Sequence, residues 1–211
     1  MTDNHGDVRR EYEKGELTRA DLTADPLELF SLWLNDAQTS GLTDATAMTV
    51  ATADGAGKPA ARIVLLKHHD ADGFVFYTDF RSGKGKALAI NPQIELLFYW
   101  REFERQVRIF GHVEAVPDAK SKAYFHSRPL ESQVSAAASE QSAVIDSRQT
   151  LEQTAASLRD SGVQIAKPAA WGGYCVNADH YEFWQGRENR LHDRFTYTRS
   201  GADWKIDRLQ P

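Results

Sequence analysis

Several groups of residues in this chain have the types and spacing to hold anions. Arg101, Arg105 and Arg108 fall within eight residues, and Arg187, Arg190, His192 and Arg194 within another eight. Ser82-Gly83-Lys84 opens a segment that reads as a helix, where free backbone N–H groups and the positive end of the dipole attract phosphate. Tyr124, Arg128 and Ser132 stand at i, i+4 and i+8, so one helix face would offer a phenol, a guanidinium and a hydroxyl to a phosphate. Pro129 interrupts that run and argues for two helices, the second started by the proline. Arg62 and Lys67 bracket the apolar run Ile63-Val64-Leu65-Leu66; five positions apart, they point to opposite faces of a strand. A formal net charge of −5 makes a small anion a better partner for these islands than a nucleic-acid backbone. The competing reading makes them solvated faces paired with Glu102, Glu104, Glu188 and Asp193.

Other chemistries find little support. Ser82-Gly83-Lys84-Gly85-Lys86 lacks the spacing of a nucleotide-binding P-loop, and no G-x-G-x-x-G or G-x-S-x-G follows a strand. Cys175 is the only cysteine, which leaves no intramolecular disulfide and no cysteine-based zinc site. His68 and His69 are adjacent in a strand and face opposite ways, so they cannot share a metal; no metal site is expected.

The elements that must position these groups follow from pattern and length. At 211 residues one large domain is the default, with about 70% of the unfolded surface buried. Residues 1–25 are charged and aperiodic and read as a mobile arm; residues 26–211 read as a single domain. Asp25-Pro26 starts a helix with Leu29, Trp33 and Ala37 on one face, stopped at Gly41. Strands are expected at Met48–Ala53, Ala61–His68, Phe74–Thr78, Ile94–Trp100 and Gln106–Val116. A short helix over Ser82–Asn91 interrupts them. Residues 118–161 read as helical, with caps at Asp118 and Ser147, and strands return at Trp171–Val176, Tyr181–Gln185, Arg194–Arg199 and Trp204–Leu209. Hairpins without βαβ alternation predict a mainly β, α+β fold: an antiparallel barrel with peripheral helices. The first 25 residues lack the apolar core of a secretory signal, and no run approaches membrane-spanning length. With one cysteine, this predicts a soluble protein of the cytoplasm with neither membrane nor nucleic acid as partner.

The residues singled out lie in blocks that resemble the pyridoxine/pyridoxamine 5′-phosphate oxidase family, from Arg9-Arg10-Glu11-Tyr12 to Trp204-Lys205-Ile206-Asp207-Arg208-Leu209. The most specific blocks are Arg62-Ile-Val-Leu-Leu-Lys67, Glu104-Arg-Gln-Val107, Tyr124-Phe-His-Ser-Arg-Pro129, Glu182-Phe-Trp-Gln-Gly186 and Arg190-Leu-His-Asp-Arg194, in family order. The resemblance implies an FMN-binding split barrel, working as a homodimer with the flavin at the subunit interface. It implies FMN contacts from Arg62, Ile63, Val64, Leu65, Leu66, Lys67, Tyr77, Thr78, Ser82, Lys84, Gln106, Gln141, Ser142, Trp184 and Arg194. Lys67, Tyr124, Arg128 and Ser132 would hold the substrate phosphate, with Arg9 and Tyr12 covering the site. Arg190, Leu191 and His192 would meet the pyridine ring, Arg190 and His192 as catalytic residues pointing the same way from an extended connection.

The implied reaction oxidises the 4′ carbon of pyridoxine or pyridoxamine 5′-phosphate to pyridoxal 5′-phosphate. A hydride equivalent passes to the flavin, O2 takes the electrons to give H2O2, and the amine substrate loses ammonia when its imine is hydrolysed. Two positions depart from the family. Gly83 stands where an arginine usually precedes the flavin-phosphate lysine, and Ser135-Ala136-Ala137 stands where Gly-Ala-Trp is common. Arg81, two residues earlier, is expected to replace the missing arginine in part. Two rival readings stay open: another flavin or deazaflavin reductase on the same barrel, and a flavin- or pyridoxal-phosphate-binding protein without turnover.

Overall fold

The computed structural model describes residues 11–211, and its chain divides into two compact units. One comprises residues up to Thr49, Glu95–Phe110 and Ala178–Pro211; the other comprises Val50–Ile94 and Gly111–Asn177. The strands are β1 (Ala47–Ala53), β2 (Pro59–Leu65), β3 (His68–Asp70), β4 (Gly73–Asp79), β5 (Gln93–Trp100), β6 (Arg105–Ala115), β7 (Trp171–Gln185), β8 (Asp193–Ser200) and β9 (Asp203–Leu209). The helices are α1 (Pro26–Thr39), α2 (Gly83–Ile90), α3 (Asp118–Ser127), α4 (Leu130–Ala138) and α5 (Arg148–Asp160). Hydrogen bonding orders the strands β2-β1-β5-β6-β7-β4-β3, with β8 paired to β7 and β9 to β8. Among the described residues no helix is long and apolar enough to cross a membrane.

In the first unit, the Asp25 carboxylate caps α1 by accepting from Leu27 N at 2.9 Å, with Pro26 in the first turn. The face Leu29, Phe30, Trp33, Leu34 and Ala37 is buried, with Phe30 at 5.0 Å from Phe98 and Trp33 edge-on to Phe183 at 5.3 Å. The segment expected to be an arm is fastened from Glu11 onward. Leu17 is buried, Lys14 N donates to Glu104 Oε2 at 3.0 Å, and the Tyr197 hydroxyl donates to Thr23 O at 2.9 Å. A single buried leucine and backbone hydrogen bonds leave no periodic pattern in the sequence.

In the second unit, β4 pairs antiparallel with the first half of β7, from Phe74↔Val176 to Asp79↔Trp171. The second half of β7 pairs with β8 in the first unit, from His180↔Thr198 to Gln185↔Asp193. This double use corrects the expectation of separate strands at Trp171–Val176 and Tyr181–Gln185: the polar link Asn177-Ala178-Asp179 continues one 15-residue strand. The expected strand Ala61–His68 ends instead at Leu65, so Lys67 lies in the link to β3, where its N–H donates to Val75 O at 2.8 Å. Asp118 does not cap α3. Pro117 holds that position, and Asp118 pairs with Lys167 at 3.0 Å. Ser147 caps α5 as expected, accepting from Thr150 N at 3.1 Å.

Candidate active site

The start of α2 forms a polar cradle in the second unit. The Ser82 hydroxyl accepts from Gly85 N at 3.3 Å, and the turn closes so tightly that a Cβ on Gly85 would lie 2.2 Å from Phe80 O. Lys84 is only 8% exposed, and its ammonium donates to Gln141 Oε1 (2.6 Å) and the hydroxyls of Thr78 (2.9 Å) and Ser82 (3.4 Å). Gly83 N donates to the Ser142 hydroxyl at 3.4 Å. All these partners are neutral oxygens. Burial is the main cause that lowers the Lys84 pKa, Arg62 adds to it, and Asp79 opposes. A buried cation among neutral acceptors at a helix N-terminus fits a phosphate. Arg62 donates to Thr52 Oγ1 at 2.9 Å and Val50 O at 3.2 Å, which fixes it across β1 and β2.

Arg81, expected to replace the missing arginine in part, is paired within the protein. Its guanidinium donates to both Asp79 carboxylate oxygens, at 2.6 Å from Nη2, and Nη1 lies 3.4 Å from Glu140. Asp79 is buried and draws that charge to itself. At Gly83 a Cβ would meet open space, so the backbone there tolerates a side chain.

A second group lies on an aromatic shelf in the same unit. Tyr77 stacks on Tyr124 at 4.1 Å and on Trp171 at 5.1 Å. The Arg128 guanidinium sits 5.0 Å over the Trp171 ring, and its Nη1 is buried with no hydrogen-bond partner among the described residues. Burial lowers the Arg128 pKa, partly opposed by Tyr124. Pro129 splits the run as the sequence suggests: α3 ends at Ser127, Arg128 is extended at φ −73° and ψ 152°, and Pro129 precedes α4. Gln133 donates to Arg128 O at 2.8 Å, which locks that break. Ala136 and Ala137, at the second departure, pack against the cluster of Phe125, Val134, Ile165 and Trp171.

A third group lies in the first unit. The Tyr12 ring meets Trp184 edge-on at 5.6 Å and His192 at 5.5 Å, with Trp184 4.7 Å from His192. Gly186 sits beneath it, where a Cβ would come 2.7 Å from the tyrosine ring. Arg187 N donates to His192 Nδ1 at 3.1 Å, so in the neutral imidazole the proton is on Nε2. The His192 pKa is lowered by burial first, then by Arg190 and Arg194, against the pull of Asp193. The connection is not extended: Asn189 and Arg190 hold left-handed φ values of 54° and 63°. Arg194 is tied to Glu182, at 2.9 Å from Nη2, and to Gln210 O at 2.9 Å.

The family description "Pyridoxamine 5′-phosphate oxidase" matches residues 34–162, and "Pyridoxine 5′-phosphate oxidase C-terminal dimerisation region" matches residues 171–211. The chain belongs to the pyridoxamine 5′-phosphate oxidase family. It is 50% identical over 207 residues to the pyridoxine/pyridoxamine 5′-phosphate oxidase of Edwardsiella ictaluri, covering 97% of this chain and 95% of that one. The Serratia proteamaculans protein of the same name is 51% identical over 97% of this chain and 95% of its own length. Among solved structures, PhzG from Burkholderia lata superposes with a TM-score of 0.87 at 31% identity, over 91% of this chain and 95% of that one. A pyridoxamine 5′-phosphate oxidase-related, FMN-binding protein from Nostoc punctiforme shares the fold, with a TM-score of 0.70 at 16% identity over 90% of this chain and all of that one. The antiparallel split barrel with peripheral helices is therefore the fold of this chain.

Against the positions the family pattern selects, Thr78, Ser82, Lys84, Gln141 and Ser142 converge in the cradle, and Tyr77, Tyr124 and Arg128 on the shelf. Tyr12, Trp184 and His192 converge in the first unit. Ile63 and Leu65 are exposed, Leu66 is buried, and Lys67 and Leu191 are exposed. Val64, Gln106 and Ser132 are half-buried. Arg9 lies outside the described residues. Of the carboxylates expected to neutralise the arginine islands, Asp193 does so for Arg187 at 3.0 Å. Other members of the islands pair with acids elsewhere in the sequence: Arg105 with Asp36, Arg108 with Glu95 and Glu182, and Arg194 with Glu182. Asp193 enters the sequence reading as an arginine partner and Glu182 as part of a family block, but the sequence does not announce the burial of either, or of Asp79. Asp193 stands between His192 and Arg194 and Asp79 two residues before Arg81, whereas Glu182 has no arginine near it in the sequence.

Proposed function

We infer that this chain is an oxidase of vitamin B6 metabolism that converts pyridoxine and pyridoxamine 5′-phosphates to pyridoxal 5′-phosphate. FMN is the proposed cofactor, and a homodimer with flavin between subunits the proposed assembly, supported by the dimerisation region at residues 171–211. The observation that carries the reading is the buried Nη1 of Arg128, without a hydrogen-bond partner among the described residues, on an aromatic shelf in a chain half identical to pyridoxine/pyridoxamine 5′-phosphate oxidases. A desolvated guanidinium nitrogen without an acceptor fits the phosphate of a flat aromatic substrate.

Bound FMN would supply the redox chemistry, accepting two electrons and a proton from the 4′ carbon and giving two electrons to O2. The protein supplies binding and orientation. Lys84, Ser82 and the start of α2 would hold the flavin phosphate, with Thr78 and Gln141 orienting the lysine and Ser142 accepting from Gly83 N. Arg128 and Tyr124 are positioned to hold the substrate phosphate. His192, with its Nδ1 occupied by Arg187 N, presents Nε2–H as a hydrogen-bond donor to the substrate ring. Tyr12 meets that imidazole edge-on and would cover it with substrate bound.

The purified protein is expected to be yellow, to release FMN rather than FAD on denaturation, and to form one H2O2 per pyridoxal 5′-phosphate. Colourless protein that neither binds added FMN nor turns over overturns this reading. A second expectation concerns Gly83. Because a side chain there meets open space, Gly83→Arg should add a charge-assisted contact to the flavin phosphate and tighten FMN binding about tenfold. Fluorescence titration of apo-protein checks it, and an unchanged dissociation constant means the position does not face the phosphate.

A further inference from the structure

We propose that Asp193 is a positioning residue for the oxidation, holding the loop that carries Arg190 and His192 together with the segment that lays Tyr12 over it. This rests on the oxidase reading above. The Asp193 side chain is 7% exposed, and its carboxylate accepts from three separate parts of the chain. Leu17 N donates from the N-terminal segment at 3.1 Å, Arg187 Nη1 from the loop at 3.0 Å, and Arg208 Nη2 from β9.

The loop needs such a hold. Asn189 and Arg190 are both left-handed non-glycine residues, a conformation that persists only where surrounding contacts over-determine it. Arg187 is fixed at both ends: its side chain by Asp193 and by Glu16 at 3.2 Å, its backbone N–H by His192 Nδ1. Asn189 N donates to Glu11 Oε2 at 3.2 Å, so the N-terminal segment holds the loop directly as well. Asp193 is the group that segment, loop and β9 share. The chemistry requires a carboxylate: three donors converge, and an asparagine of the same shape would turn an N–H2 toward a guanidinium. Movement of the loop by about 1 Å would displace His192 and Arg190 together, which is enough to cost a large factor in rate.

The test is Asp193→Asn in the full-length holoenzyme. FMN content should stay at the wild-type level while kcat/KM for pyridoxine 5′-phosphate falls roughly 10- to 100-fold. In an Arg190→Ala background the same substitution should cost no more than about twofold, because both changes disable one loop. A readout independent of turnover is trypsin cleavage after Lys14 and Arg19, which should speed up at least about tenfold as the segment loses its anchor. Unchanged kcat/KM and cleavage, or a full multiplicative loss on top of Arg190→Ala, overturns the proposal, and parallel loss of FMN moves Asp193 to the cofactor site. Should Asp193→Asn fail to fold, Arg187→Met cuts one of the same contacts; it should lower kcat/KM about three- to tenfold and speed cleavage, and no change in either overturns the proposal. Wild-type protein that makes no peroxide refutes the oxidase reading instead, and the cleavage experiment still decides the role of Asp193.

Discussion

Arg128→Met should raise KM for pyridoxine 5′-phosphate about a hundredfold or more, with Tm unchanged or higher and FMN content intact. The two halves of that expectation share one cause. Nη1 of Arg128 is buried without a hydrogen-bond partner among the described residues, which costs about 1–3 kcal/mol in the ligand-free protein. Methionine fills similar space without the orphaned donor. Loss of the cation–π contact with Trp171 offsets roughly 0.5–1 kcal/mol of that gain. A bound phosphate reverses the balance, because charge-assisted hydrogen bonds are worth about 1.5–3 kcal/mol each. Two of them lost correspond to two or more decades of affinity. Steady-state kinetics and thermal melts of the two proteins decide the matter. A Tm that falls by about 4 °C with KM unchanged would make the guanidinium a structural brace on Trp171, since such a drop is about 1 kcal/mol for a domain of this size.

The same residue shows how far the sequence reaches. Tyr124, Arg128 and Ser132 announce a phosphate clamp by type and spacing, and Pro129 announces the break between α3 and α4. What spacing cannot convey is that Arg128 comes to rest over Trp171, more than forty residues away, because that contact is made by β7 pairing with β4. Helix α1 was legible because its buried face repeats at helical spacing and both of its ends carry signals. Strand β7 was misread as two because Asn177-Ala178-Asp179 is polar, and the strand runs through it only because it has a different partner on each side. The segment before α1 shows no periodicity at all. Its order comes from single contacts, Leu17 in the core and backbone donors to Glu104 and Asp193, with acceptors that lie 90 and 176 residues away. What the sequence does not show is which acids are buried. Asp79 and Asp193 read as ordinary neighbours of arginines and Glu182 as an isolated acid, yet each is buried and pairs with a guanidinium: Arg81, Arg208 and Arg194 respectively.

Lys84→Met should leave the protein colourless as purified, with FMN bound at least about a hundredfold more weakly, by the loss of a charged hydrogen-bond donor in a buried site. Lys84 also sets a pH signature. In the cradle its pKa lies below the ordinary lysine value, chiefly through burial and then through Arg62, with Asp79 opposing. A phosphate dianion placed beside the ammonium favours the charged form and raises that pKa again. Binding at alkaline pH therefore takes up a proton, and affinity falls as pH rises through the lowered pKa of the free protein. Below that value Lys84 is protonated in both states and contributes no pH dependence. On the acid side affinity falls as the flavin phosphate dianion is protonated to the monoanion, at about pH 6. Wild-type apo-protein titrated with FMN by fluorescence quenching from about pH 5.5 to 10 should thus show a plateau with a loss at each end. Lys84→Met should keep the acid limb and lose the alkaline one. An alkaline limb that survives in Lys84→Met would assign it to another group, the flavin ring or a tyrosine, and would remove Lys84 from the phosphate.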